Sequence, residues 1–209
     1  LHLSLVENDS LAVNFPYSKE ELLEKAVSFD PLTNNQLEEI YKVKKSLFSL
    51  PLSYMGYSGY LNPITLEAQV NSKIPKVSFI TTILHETAHQ MGYASEKEAN
   101  FIAFFSAINS EDPYVQYAGY TFAIRYCYGN LLISDRKKAI EIIGNLNPGI
   151  IKNIRVVNRF WLDYKNPLRP IFKKSYDEYL KVNGQKSGIM SYNEMVGLVI
   201  NHHKKSIKK

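Results

Sequence analysis

Hydrophobic residues recur at every third or fourth position along most of this chain, which is the spacing of amphipathic α-helices. Several of the periodic segments open with a helix-capping pattern, such as Ser18 followed by Glu21 and Ser191 followed by Glu194. The pattern predicts helices over residues 18–27, 33–50, 75–91, 96–109, 113–128, 135–145, 148–165, 168–182 and 192–206. The chain is therefore expected to be mainly helical.

The segment 52–70 departs from this helical spacing. It is rich in Tyr and Gly, contains the turn residue Pro63, and includes the β-favouring residues Ile64, Thr65 and Val70. We expect a small hairpin or an irregular pair of strands here, directly before the helix at 75–91. The expected fold class is accordingly mainly α with a small β element (α+β).

The composition is that of one globular domain. The chain has 209 residues, of which 45% are hydrophobic and 22% are charged, and these values are ordinary for a soluble protein with a core. No repeat or linker divides the sequence, so we expect a single domain over 1–209. Within it, N-terminal helices would occupy 1–50, the β element and the next two helices 51–110, and a C-terminal helical part 111–209.

Charge and cysteine content argue against other classes of protein. The net charge is +5, but four positive charges come from a C-terminal lysine tail (Lys204, Lys205, Lys208 and Lys209). The rest of the chain is nearly neutral, so nucleic acid is not an expected partner. Cys127 is the single cysteine, which excludes an intramolecular disulfide and a Cys-rich zinc site. No apolar run reaches the roughly 18 residues that span a membrane.

Residues 85–89 read His-Glu-Thr-Ala-His, an HExxH pattern inside the helix predicted at 75–91. Residues four apart lie on one face of a helix, so the imidazoles of His85 and His89 can reach the same metal ion. Glu86 projects about 100° further round the helix, beside the metal, where it can deprotonate a metal-bound water. Because zinc lowers the pKa of such a water toward neutrality, the pattern predicts one catalytic Zn²⁺ ion with Glu86 as the base.

A catalytic zinc site normally has a third protein ligand, and two carboxylates compete for that position. Glu98 follows Ser95 by three residues, as the Glu of a capping box does, and this role would leave Glu96 free for the metal. Asn100 lies one turn after Glu96, where it could hydrogen-bond the second ring nitrogen of a ligating histidine. We favour Glu96 as the third ligand, with Glu98 as the alternative.

Hydrolysis of a peptide bond also needs a hydrogen-bond donor for the oxyanion that forms on the carbonyl. Tyr192, at the start of the last predicted helix and after the Gly-containing loop 184–188, is one candidate for this catalytic role. Arg125 together with Tyr126 is another candidate.

The run 85–100 resembles the gluzincin branch of zinc metallopeptidases. In that branch the two His residues of HExxH and a later Glu bind zinc, and the Glu of the motif is the general base. The resemblance implies a zincin-like fold, in which the HExxH helix is followed by a second helix that bears the third ligand. This chain has Asn100 where the usual pattern has Asp, and its loop between the two helices is shorter than is common in the branch.

The longer run 85–104 is similar to an uncharacterised family of bacterial membrane-anchored zincin-like proteins, which is catalogued as a domain of unknown function. The segments 65–68, 117–120, 179–184 and 191–192 also resemble it, so that the similarity covers about 56–199. Members carry transmembrane helices before this domain. The resemblance therefore implies an extracytoplasmic location, with the membrane reached only through a segment that would precede Leu1.

The sequence thus predicts a zinc metallopeptidase that acts on a peptide or protein substrate. The alternative is a non-catalytic zinc-binding sensor or interaction module of the same fold. The presence of Glu86 argues against this alternative, because a purely structural site needs no base and usually closes its fourth position with a ligand. A nucleic-acid-binding protein is a third hypothesis, motivated by the lysine tail alone.

Overall fold

The structure is a computed structural model that describes residues 1–25, 42–186 and 191–207. Within these ranges it is mainly helical, with a small three-stranded sheet. The helices are α1 (His2–Leu5), α2 (Lys19–Glu24), α3 (Ser49–Met55), α4 (Lys76–Gln90), α5 (Glu96–Ile108), α6 (Pro113–Ser134), α7 (Arg136–Gly144), α8 (Pro148–Asp163), α9 (Arg169–Val182) and α10 (Ser191–Ile207). The strands are β1 (Val43–Lys45), β2 (Gly59–Leu61) and β3 (Ala68–Val70).

The central element is α4, which packs against β2 and β3 of the sheet and against α5 and α6. Residues 79–88 of α4 are all buried, so this helix lacks the exposed stripe of an ordinary surface helix. Its apolar residues, including Phe79, Ile80 and Ile83, form the main core together with Val70 of β3 and Val115 of α6. The polar residues of α4 are therefore held in a rigid environment.

The predicted hairpin is confirmed over its second half. β2 and β3 pair in antiparallel fashion, with Tyr60 opposite Gln69, and β1 adds to the other side of β3 as a parallel strand. The first residues of the predicted β segment instead belong to α3, which ends at Met55.

Residues 26–41 lie outside the described residues, so the helix predicted over 33–50 can be compared with the structure only from 42 onward. In that part the prediction is wrong. From 42 onward the chain forms β1 and then α3, which continues through Pro51. Proline is tolerated there because the first turn of a helix leaves its backbone N–H groups without intrahelical partners. Leu47 and Phe48, which the helical spacing would bury, are 96% and 61% exposed. Pairing of Val43 with Ala68 in the sheet outweighs the local helical periodicity.

Most of the other helices lie close to their predicted positions. The Ser18–Glu21 capping box is present at the start of α2, and α4 and α5 begin and end within one residue of the predicted bounds. The helix predicted over 113–128 is longer than expected and reaches Ser134. None of the helices in the described ranges has the length and apolar character needed to cross a bilayer.

Candidate metal centre

The two imidazoles of the HExxH pattern lie one turn apart on α4. Nε2 of His85 and Nε2 of His89 are 3.1 Å apart, and the two rings meet edge to face. His85 is buried, with 9% of its surface exposed. The spacing predicted from the sequence therefore directs both ring nitrogens to the same point.

A tight turn after α4 brings the next helix back toward these histidines. Gly92 has a φ of +95°, its amide donates to the carbonyl of His89 at 3.0 Å, and the amide of Tyr93 donates to the carbonyl of Ala88 at 3.1 Å. This is the Schellman arrangement, in which glycine is favoured because a side chain is strained at positive φ. The reversal places Glu96, the first residue of α5, opposite the two imidazoles.

The three side chains converge on one small volume. Oε2 of Glu96 lies 3.2 Å from Nε2 of His85 and 3.7 Å from Nε2 of His89. Donor atoms at about 2.0–2.2 Å from a tetrahedral ion are about 3.3–3.6 Å from one another, so these separations are close to those of three tetrahedral ligands. Oε2 of Glu96 is also buried and accepts no hydrogen bond from the described part of the chain. The His85, His89 and Glu96 group could hold a metal ion.

Of the two competing carboxylates, only Glu96 belongs to this group, because Glu98 is exposed on the other side of α5. The capping box that was expected to engage Glu98 is absent, since Ser95 makes no side-chain cap hydrogen bond. Gln185 takes over the role of the cap: its Oε1 accepts from the amide of Glu96 at 3.2 Å, and its Nε2 donates to the carbonyl of Ala94 at 3.1 Å. The two carboxylates therefore differ because they point in different directions around α5, and not because Glu98 caps the helix.

The charges of the three residues depend on one another. Burial opposes ionisation of Glu96, but the neighbouring His85 and His89 imidazoles hold the pKa of its carboxyl well below the usual range. Burial also lowers the pKa of His89, and this effect is outweighed by Glu96 and Glu86, which raise it above the ordinary value. The Glu96 carboxylate thus favours a positive charge beside it, and in the absence of a metal the protonated form of His89 supplies that charge.

Glu86 lies beside the three-residue group and is only 3% exposed. Burial raises the pKa of its carboxyl to about 7. The backbone of Gly59 in β2 passes directly over this carboxylate: a Cβ on Gly59 would lie 2.6 Å from Oε1 of Glu86 and 2.9 Å from the carbonyl oxygen of Gln69. Glycine is thus required at Gly59 for the strand to pass this close to the carboxylate.

Two contacts orient the candidate ligands from outside. Nδ1 of His89 is 2.7 Å from the carbonyl oxygen of Tyr93, so Nδ1 carries the proton and the lone pair of Nε2 is free to bind a metal. The hydroxyl of Tyr176, on α9, donates to Oε1 of Glu96 at 2.7 Å. This hydrogen bond leaves Oε2 of Glu96 directed at the histidines.

Sequence analysis did not identify Tyr176 or Gln185. Tyr176 lies one turn before Leu180, which is 2% exposed, so its position on the inward face of α9 could have been inferred from helical spacing. Its partner on α5 is 80 residues away in sequence, and no local pattern indicates such a pairing.

Asn100 is buried, as a residue behind the ligands would be, with 2% of its surface exposed. Its side chain lies against the hydroxyl of Tyr126, and its amide nitrogen makes no hydrogen bond in the described part of the chain. The predicted hydrogen bond to a histidine ring stays a prediction.

The structure describes the side chains of two of the three candidate oxyanion donors. Tyr192 lies in the first turn of α10, but its side chain lies outside the described residues. Arg125 and Tyr126 both line a cavity of about 640 Å³, which is also lined by Tyr176, the hydrogen-bond partner of Glu96. Burial raises the pKa of Tyr126 to about 12, so its hydroxyl stays protonated at neutral pH and can donate a hydrogen bond.

The fold and the site thus define a mainly helical protein with a buried His/His/Glu group that could hold a metal ion. Over residues 7–200 the sequence matches the family model described as "Protein of unknown function (DUF3810)". The chain belongs to this family. Comparison with curated proteins gave no match, and comparison with solved structures gave none either.

Proposed function

We propose that this protein is a zinc-dependent metallopeptidase with a zincin-like active site, in which His85, His89 and Glu96 bind one zinc ion. The observation that carries the proposal is the convergence of their three ligand atoms, 3.1–3.7 Å apart, beside the buried carboxylate of Glu86. Two imidazoles and one carboxylate are the ligand set of several catalytic zinc peptidases.

Zinc bound at this position would lower the pKa of a coordinated water and polarise the carbonyl of a substrate. Glu86 would accept a proton from the water as the water oxygen attacks the peptide carbonyl. Glu86 would then pass this proton to the leaving nitrogen as the carbon–nitrogen bond breaks. Tyr126, which stays protonated, is a donor on the cavity side that could stabilise the oxyanion.

The alternative of a non-catalytic zinc-binding sensor shares the three ligands but gives Glu86 no role. Burial of the Glu86 carboxylate costs free energy, as its raised pKa indicates, and a structural zinc site is usually closed by a fourth protein ligand. Within the described ranges the candidate group has three members. The position of Glu86 therefore favours catalysis.

A test with purified protein separates these functions. We expect the protein to bind one equivalent of zinc and to cleave members of a randomised peptide mixture, with new termini detected by mass spectrometry. Activity should be lost on chelation and restored by zinc. A folded, zinc-loaded protein that cleaves no peptide would support the sensor, and a folded protein that takes up no zinc would contradict both functions.

Replacing Tyr176 by Phe should weaken zinc binding roughly tenfold, because a partner that orients a ligand typically contributes 10–100-fold in affinity. The change removes the hydroxyl that donates to Oε1 of Glu96 and keeps the ring. Competition with a chromophoric chelator would measure the affinity. Tyr179→Phe is the matched control, since Tyr179 stacks on Tyr176 but is 60% exposed. Equal affinities of the two variants would contradict the orienting role.

A further inference from the structure

The cavity of about 640 Å³ continues the face of α4 that carries the histidines. Its α4 wall is formed by Ser78, Thr81 and Thr82, which precede His85 at the spacings that place residues on one face of a helix. Thr81 lies four residues before His85, a distance of about 6 Å along the axis. Tyr176 joins the two regions, because it lines the cavity and its hydroxyl binds Glu96. A molecule in the cavity would therefore lie next to the metal centre.

Three basic side chains line this cavity: Arg125 of α6, and Arg169 and Lys173 of α9. Among the residues that the structure describes, none of those that line it is Asp or Glu. On α9, Arg169, Lys173 and Tyr176 follow one another at helical spacing, so the two basic residues lie on the same face of the helix as Tyr176. The described lining of the cavity thus carries three positively charged side chains and no carboxylate.

The two arginines differ in their contacts. Arg169 donates to the carbonyl of Trp161 at 3.1 Å and stacks on its ring, so it has a structural role. Arg125 makes no ion pair or hydrogen bond with any residue of the described ranges, although it is half-buried. Desolvation lowers the pKa of its guanidinium, and an arginine nevertheless remains charged. Because Arg125 lines the cavity and is only half-buried, its guanidinium can pair with an anionic ligand that enters the cavity.

We propose that this basic cavity binds a carboxylate of the peptide substrate close to the bond that is cleaved, with Arg125 as the residue that recognises it. The inference rests on the proposed peptidase function and adds a substrate class to it. A C-terminal carboxylate or the side chain of Asp or Glu would supply the same chemistry.

Binding can be measured inside the cavity itself, because Trp161 lines it and is the single tryptophan of the chain. Zinc-loaded protein would be titrated with N-acetyl-dialanine as the free acid, N-acetyl-dialanine amide and N-acetyl-Ala-Glu amide, with the fluorescence of Trp161 as the signal. We expect ligands that carry a carboxylate to bind at least tenfold more tightly than the neutral amide. Binding of the free acid alone would identify a C-terminal carboxylate, and binding of the Glu amide would identify an acidic side chain.

Arg125→Gln should reduce this preference about tenfold or more, and Lys173→Gln should reduce it less. Arg136→Gln is the matched control, since it removes one positive charge from an exposed position on α7 outside the cavity. Repeating the titration after chelation removes any contribution from carboxylate bound to the metal.

The melting temperature of Arg125→Gln should not fall, because the wild-type side chain has no hydrogen-bond or ion-pair partner in the described ranges to lose. A lower melting temperature with unchanged carboxylate preference would overturn the proposal.

Hydrolysis of the same peptides, extended at their N-termini, separates this inference from the proposed function. Carboxylate-selective binding that depends on Arg125, without any hydrolysis, would support the proposed anion site and contradict the proposed peptidase activity. Hydrolysis at equal kcat/KM for acids and amides would retain the peptidase and overturn the anion site. Equal binding of all three ligands, or binding of none, would also overturn it.

Discussion

Peptide hydrolysis is expected to fall roughly a thousandfold in Glu86→Gln, because a general base typically contributes about 10²–10⁴-fold to the rate. Zinc should stay bound, since Glu86 is not a member of the His85, His89 and Glu96 group. Glutamine has nearly the same shape as glutamate, so it can occupy the space beneath Gly59 without displacing the strand. The measurements are kcat/KM for a cleaved peptide and the zinc content of the purified variant.

Glu98→Gln is the matched control for this variant, because it makes the same chemical change at an exposed position on α5. It should keep wild-type activity. Wild-type rates in Glu86→Gln would contradict the catalytic role of this residue, and loss of zinc would show that Glu86 acts on the metal directly.

The stability of metal-free Glu86→Gln provides an independent check of the burial of this carboxylate. Burial raises the pKa of Glu86 from 4.5 to about 7, so the folded state binds the proton more tightly than the unfolded state does. Its contribution to stability is therefore complete below about pH 4.5 and is lost as the pH rises through about 7. Above that pH, the glutamine variant should unfold at a denaturant concentration no lower than that of the wild type.

The second large effect is expected for Glu96→Gln, which should weaken zinc binding about a hundredfold or more by replacing a charged ligand with a neutral amide. At a free zinc concentration a thousand times the Kd, zinc should stabilise the wild-type protein by about 4 kcal/mol, and this gain should be much smaller in the variant. Unfolding curves with and without zinc would measure the difference.

Glu98→Gln again provides the contrast, this time for the choice of ligand. Glu96 and Glu98 are two positions apart on a helix, which corresponds to about 200° round its axis. Only one of these carboxylates can therefore face the histidines. Zinc binding that is lost in Glu98→Gln and kept in Glu96→Gln would show that Glu98 is the third ligand.

The local features of the centre were predictable because each depends on neighbours within one or two turns. The spacing of His85 and His89, the left-handed turn at Gly92 and the start of α5 all follow from helix geometry and backbone sterics. The structure places Glu96 in the group with the two histidines, but the reason given for preferring it was partly wrong. Glu98 forms no capping box, and the cap of α5 comes from Gln185.

Features that depend on distant contacts were missed or wrong. The segment 43–48 has helical spacing, yet it forms β1 and an exposed loop because a strand partner at 68–70 is available. Tyr176 reaches Glu96 across 80 residues of sequence, and nothing near Tyr176 indicates that contact. Arg125 was a candidate oxyanion donor, but its position in a basic cavity is visible only once α6 and α9 are packed together.

The sequence by itself determined the helical class of the fold, the two histidines that can share a metal and the carboxylate beside them. These follow from periodicities of a few residues, which act before any tertiary contact forms. Only the tertiary structure decided which carboxylate faces the histidines, which groups orient the candidate ligands and where the basic cavity lies. Those features depend on how buried helices pack against one another, and packing is set by the whole core and not by any single segment.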